Sequence, residues 1–115
     1  MTETVSQSRF TLEIDRTPEK IVVRCLGELV FGVAGEFYKQ VQPLTAETSH
    51  LVLDLSDLRH MDSMGLGTLV RLLVAARSHK CRLELVNLSK KVRELLDMTN
   101  LLSAFSDIGE HGIKL

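Results

Sequence analysis

The residues best placed to do chemistry in this 115-residue chain sit together at Asp62-Ser63-Met64-Gly65-Leu66-Gly67. Asp62 is the right type to cap a helix. Its carboxylate accepts the orphan N–H groups of a first turn and lies at the positive end of the macrodipole. Ser63 then takes the first helical position, where an attached phosphate would meet free N–H groups and the same dipole. Such a phosphate would also set about two negative charges beside Asp62. A surface that accepts a neutral serine is switched off by that modification. Gly65 and Gly67 each cost about 1 kcal/mol relative to Ala within a helix. Two of them in a first turn imply a close approach to the backbone, by another protein or by a neighbouring strand. The same residues also admit a plainer account, with Asp62 only a cap and the glycines only easing packing.

Other chemistries fit less well. A nucleophile elbow reads G-x-S-x-G, but Met61 stands two residues before Ser63. His50, His60, His79 and His111 are scattered, and no two have the i, i+4 spacing of a helical metal pair. Neither catalysis nor a bound metal is expected. Cys25 and Cys81 fit no CxxC or zinc pattern and read as buried strand residues. Gly65-Leu66-Gly67 lacks the third glycine and the later acid of a dinucleotide fingerprint, so no cofactor is expected. Lys90, Lys91 and Arg93 read as a solvated helix face. Asp54 reads as a strand-end polar residue and Asp57 as a turn former.

Composition narrows the classes further. A net charge of -1 offers no field for capturing nucleic acid. Aromatics at 4%, with no Trp, argue against a stacking platform for single strands. No signal peptide and no apolar run of about 20 residues is visible, so a soluble, cytoplasmic protein is expected. At this length one domain can hold a core without disulfides or metals.

The positioning elements follow from periodicity. Residues 1–8 are polar and expected to be a flexible N-terminus, with 9–115 as the domain. Phe10, Leu12 and Ile14 alternate as in a half-buried strand, and Lys20 to Leu29 supplies a second strand of a hairpin. Phe37, Val41 and Leu44 mark a helix from Ala34 to Leu44, with Pro43 at its last turn or end. His50 to Leu55 is almost wholly apolar, as in a central strand covered on both faces, and a short polar loop follows. Ser63 to Arg77 is the clearest helix, with Leu66, Leu69, Val70, Leu73 and Ala76 on one stripe. Arg82 to Val86 reads as a strand. Ser89 caps a third helix whose apolar face is Val92, Leu95, Leu96 and Met98. A short edge strand near Phe105 to Ile108 is a further expectation. Alternating strands and helices predict one α/β domain, a four- or five-stranded mixed sheet with helices mainly on one face.

Leu53-Asp54-Leu55 followed by Met61-Asp62-Ser63-Met64-Gly65-Leu66-Gly67 resembles the signature of STAS domains of the anti-sigma factor antagonist type. Gly27-Glu28-Leu29, Leu83-Glu84-Leu85-Val86-Asn87 and Val92-Arg93-Glu94-Leu95-Leu96 extend the resemblance over roughly residues 9 to 102. The resemblance implies a non-enzymatic regulator that binds an anti-sigma factor, often a serine kinase, and so frees a sigma factor for transcription. It makes Ser63 the phosphorylation site, with a phosphatase reversing the step. It places partner binding at Gly27, Glu28 and Leu29 and at Asp62, Ser63, Met64 and Gly65. The chain departs from the pattern at Val30, where many members carry Asp, and at Met64, where many carry Ser or Thr. Met64 is either an exposed anchor for a partner or a residue that packs down. The final helix common in the family is expected to be short or missing, leaving an apolar patch for self-association as a homodimer. A non-switching scaffold or accessory subunit of a signalling or lipid-transport assembly is the alternative role.

Overall fold

A computed structural model describes residues 2–100 of the chain. In chain order the elements are β1 (Thr2–Ser6), β2 (Phe10–Arg16), β3 (Ile21–Leu29), α1 (Ala34–Val41), β4 (His50–Met61), α2 (Ser63–Ser78), β5 (Arg82–Val86) and α3 (Lys90–Met98). They form a five-stranded mixed sheet in the order β1-β2-β3-β4-β5. The first two pairings are antiparallel; β3–β4 and β4–β5 are parallel. Parallel neighbours require a crossover, and these crossovers are α1 and α2. Because the sheet order rises steadily, crossovers of one hand step in one direction and leave both helices on one face.

Burial records that layering. Phe10, Leu12 and Ile14 of β2, Ile21, Val23 and Cys25 of β3, Leu51, Leu53 and Leu55 of β4, and Leu83 and Leu85 of β5 are all buried. They point at Phe37 and Val41 of α1, at Leu66, Leu69, Leu72, Leu73 and Ala76 of α2, and at Val92 and Leu96 of α3. The alternate strand positions form an open polar face. There Arg24 joins Glu13 of β2 to Asp57 of β4, and His50 meets Glu84 of β5 at 2.8 Å. The central strand is therefore not covered on both faces by the described helices. Val52 is buried on the open side between Val22 and Glu84, its partners in register.

Four further expectations change. The N-terminal residues are not outside the fold: β1 pairs in register with β2, from Thr2 opposite Asp15 to Ser6 opposite Thr11. Its periodicity is nearly silent because only Val5 packs against the core. The polar stretch after Leu55 is not a loop. β4 continues to Met61 along the second half of β3, and register shifts near Leu26 and Glu28 break the period-2 pattern. The first helix stops at Val41, and Pro43 opens a 3-10 helix over Gln42–Ala46. On α3 only Val92 and Leu96 are buried, while Met98 is exposed. The strand expected at Phe105 to Ile108 and the closing patch lie outside the described residues. Among the described residues no helix is long and apolar enough to cross a membrane.

Candidate functional site

The start of α2 is fixed by one aspartate and one glycine. Asp62 is the N-cap in an extended conformation, and its Oδ1 accepts from the N–H groups of Met64 and Gly65, each at 3.0 Å. Its Oδ2 accepts from the backbone N–H of Phe31 at 2.9 Å. These bonds, that from Phe31 first, hold the Asp62 carboxyl below the usual carboxylate range. Ser63 follows as the first helical residue and is exposed. Gly65 faces inward. A Cβ there would lie 2.1 Å from the carbonyl oxygen of Leu29 and 2.8 Å from Cγ of Met61. The close approach that the glycines imply is thus, at Gly65, to the end of β3. Gly67 is exposed, and nothing lies within 4 Å of its Cβ position.

The end of β3 divides the residues expected to bind a partner. Gly27 has a φ of +105°, and a Cβ would strike the carbonyl oxygen of Arg9 at 2.4 Å. The next residue reinforces this junction: Glu28 N–H donates to the same carbonyl at 2.9 Å, and its carboxylate meets Arg9 Nε at 2.9 Å. Gly27 and Glu28 therefore lock β3 to the β1–β2 connection. The Leu29 side chain is fully buried, and its carbonyl faces the start of α2. Only past Leu29 does the chain reach the surface beside Ser63.

Two large apolar side chains stand exposed there: Phe31 at 72% and Met64 at 51%. Both are attached to N–H groups that Asp62 accepts. The structure thus gathers Asp62, Ser63 and Met64 with Phe31 into one rim. Gly65 lies beneath it, Leu29 is buried behind it, and Gly27 and Glu28 sit half-buried at the junction with Arg9. Sequence reasoning missed Phe31. Its only signal is an aromatic in the Val-Phe-Gly turn after β3, where an apolar side chain finds no core to enter.

Several of the remaining candidates have structural roles. Asp54 accepts from Ser56 N–H and from Asn87 Nδ2, each at 3.0 Å, and Asp57 holds Arg24. His79 meets Thr45 across 2.9 Å. Cys25 is buried within β3 and Cys81 just before β5, both as free thiols that burial pushes toward the protonated form. Among the described residues, no three His, Cys, Asp or Glu gather where a metal ion could be held.

A family model described as STAS domain matches residues 11–111. The anti-sigma-B factor antagonist of Bacillus subtilis (strain 168) is 29% identical over 92 residues, 80% of this chain and 84% of that protein. An anti-sigma factor antagonist from Mycobacterium paratuberculosis has the same fold, with a TM-score of 0.78 at 20% identity over 92% of this chain and 91% of that one. The anti-sigma factor antagonist SpoIIAA in its unphosphorylated form gives 0.70 at 20% identity over 85% of each chain. The phosphorylated form, from Bacillus, gives 0.67 at 19% over 85% and 88%. At these identities the solved structures speak to the fold.

Proposed function

This chain belongs to the STAS domain family, a family of non-enzymatic modules, and on that premise we propose that it is an anti-sigma factor antagonist switched at Ser63. It binds an anti-sigma factor of the serine-kinase type through the rim around Ser63, and it is released when that serine is phosphorylated. The observation that carries this reading is the placement of Ser63. It is an exposed hydroxyl at a helix start, flanked by two exposed apolar side chains, on a turn that needs no rearrangement to present it. The likeness to a named anti-sigma-B factor antagonist supports the partner class. SpoIIAA, of the same fold, exists in phosphorylated and unphosphorylated forms.

The chemistry is simple on this side. Ser63 Oγ attacks the γ-phosphorus of ATP held by the partner, the bond to the β-phosphate oxygen breaks, and ADP leaves. The hydroxyl proton passes to a base of the kinase. The ester then carries about two negative charges against a rim built for apolar contact, and burying them costs far more than burying the hydroxyl. A cognate phosphatase hydrolyses the ester and restores the surface. The cytoplasm is the proposed place of action.

Val30 favours a second reading, a constitutive scaffold or accessory subunit. It puts a half-buried aliphatic residue where an acid would sit beside the phosphosite, and its carbonyl is taken up by the Val33 and Ala34 N–H groups. Intact-mass spectrometry of the protein from its native cells, with and without phosphatase, separates the two. A phosphatase-sensitive mass gain mapped to Ser63, together with loss of anti-sigma factor capture by Ser63→Asp, is the expected result. An unmodified protein through growth, starvation and stress alike sinks the switch and leaves the scaffold.

A further inference from the structure

The two carboxylate oxygens of Asp62 serve different parts of the chain. Oδ1 stays within α2, on the Met64 and Gly65 N–H groups. Oδ2 reaches Phe31, thirty-one positions earlier. Capping requires only the first set. The second bond ties the loop after β3 to the turn that carries Ser63. The Leu29 carbonyl before the loop accepts from Asp62 N–H at 3.4 Å, and the Val30 carbonyl accepts from Val33 and Ala34 N–H; between these anchors Phe31 and Gly32 are exposed, and Gly32 has a φ of +94°.

A phosphate on Ser63 would put a charge of about −1.5 to −2 one residue from this carboxylate. It would also bring three strong acceptors to first-turn N–H groups, which attract any anion at a helix start. Two anions then repel one another and compete for the same donors. Asp62 is at the surface and can relieve the conflict by turning toward water. The Phe31 N–H then loses its acceptor. A phosphate that acted by bulk alone would leave that bond intact.

Resting on the antagonist reading above, we propose that Asp62 is a positioning residue that transmits the charge state of position 63 to Phe31. With Ser63 unmodified, the carboxylate clasps the Phe31 loop against α2, and Phe31 and Met64 form a paired apolar anchor. With a phosphoryl group present, the clasp opens and the anchor loses its register. The matching partner surface is apolar opposite Phe31 and Met64 and uncharged opposite Ser63.

Amide NMR on the full chain tests this in three proteins: wild type, the chain with phosphoserine genetically encoded at position 63, and Asp62→Asn. The asparagine keeps one oxygen for the cap but offers an NH2 where Phe31 needs an acceptor. The expected result is at least tenfold faster hydrogen exchange at the Phe31 amide in both altered proteins. Phe31 exchange within twofold of wild type in the phosphoprotein overturns the coupling, even if Asp62→Asn releases it. The same result in Asp62→Asn overturns the clasp itself. Wild type alone supplies a further check, should the variant fold poorly: on acidification the Phe31, Met64 and Gly65 amide resonances shift with one common midpoint, and separate midpoints refute a shared carboxylate. Partner capture is a separate readout. If Ser63→Asp abolishes capture while the phosphoprotein's Phe31 amide is unmoved, the antagonist reading stands and the coupling falls.

Discussion

α2 and α3 both begin on an extended residue whose side chain accepts from the first turn, Asp62 in one and Ser89 in the other. At α3 the cap is local: Ser89 Oγ accepts from Val92 N–H at 3.2 Å. At α2 the cap also reaches Phe31, the third residue is a glycine pressed on the Leu29 carbonyl, and the second is an exposed methionine. Equivalent local chemistry therefore stays within one helix start and builds the other into the end of β3. The difference lies in long-range contacts. Those contacts make the α2 start a rigid platform on which exposed apolar groups can be displayed without collapsing inward.

The sharpest way to break the comparison is Gly65→Ala. Its Cβ would sit 2.1 Å from a backbone oxygen, which cannot swing aside as a side-chain tip can. Either α2 shifts away from β3 or the Leu29 carbonyl does. Overpacking of this kind costs about 3 kcal/mol, less about 1 kcal/mol returned by alanine's helix propensity. A loss of about 2 kcal/mol corresponds to a melting temperature lower by roughly 8 °C in a domain of this size. Thermal unfolding followed by circular dichroism measures it. An unchanged midpoint would mean that the α2 start is not pressed against the end of β3.

The two caps come next, and they should differ in both size and pH dependence. Ser89→Ala removes one capping acceptor, about 1 kcal/mol. Asp62→Ala removes the cap and the bond to Phe31, about 2 kcal/mol at neutral pH. The Asp62 contribution has a definite sign. Its folded-state carboxyl is depressed, so the stabilisation is fully present above the unfolded carboxylate pKa of about 4. It is lost as pH falls through the lower folded value. Urea midpoints of wild type and Asp62→Ala should therefore converge on acidification below about pH 4. The gap between wild type and Ser89→Ala should hold constant across that range. Parallel curves for both variants would remove the distinction between the two helix starts.

These contrasts also explain what the sequence could and could not reveal. The cap at Asp62, the hairpin of β2 and β3, and the apolar stripe of α2 are local patterns with period 2 or 3.6, and they are legible in one pass. β1 escapes because an edge strand needs only one packed residue, Val5, to belong to the sheet. The second half of β4 escapes because its register shifts put buried Leu58 and Met61 three residues apart. Phe31 escapes for a deeper reason. What recruits it is its backbone N–H, which any residue but proline supplies, so no side-chain pattern announces the bond. Asp62 was found from its local role, and the long-range half of its role was not.

Gly67 gives the smallest effect and the finest discrimination. It shares a helical turn with Gly65, yet it faces outward with open space at its Cβ position. Gly67→Ala should therefore stabilise the chain by up to about 1 kcal/mol, through helix propensity and a less disordered unfolded state. No internal contact requires this glycine, so its substitution tests for a close approach from outside. If Gly67→Ala raises the melting temperature and leaves anti-sigma factor capture unchanged, the partner keeps clear of this turn and contacts only the Phe31–Met64 rim. If it raises the melting temperature while weakening capture, the two glycines divide the labour. Gly65 then lets β3 approach the helix from within, and Gly67 keeps the outer face bare for a partner's backbone.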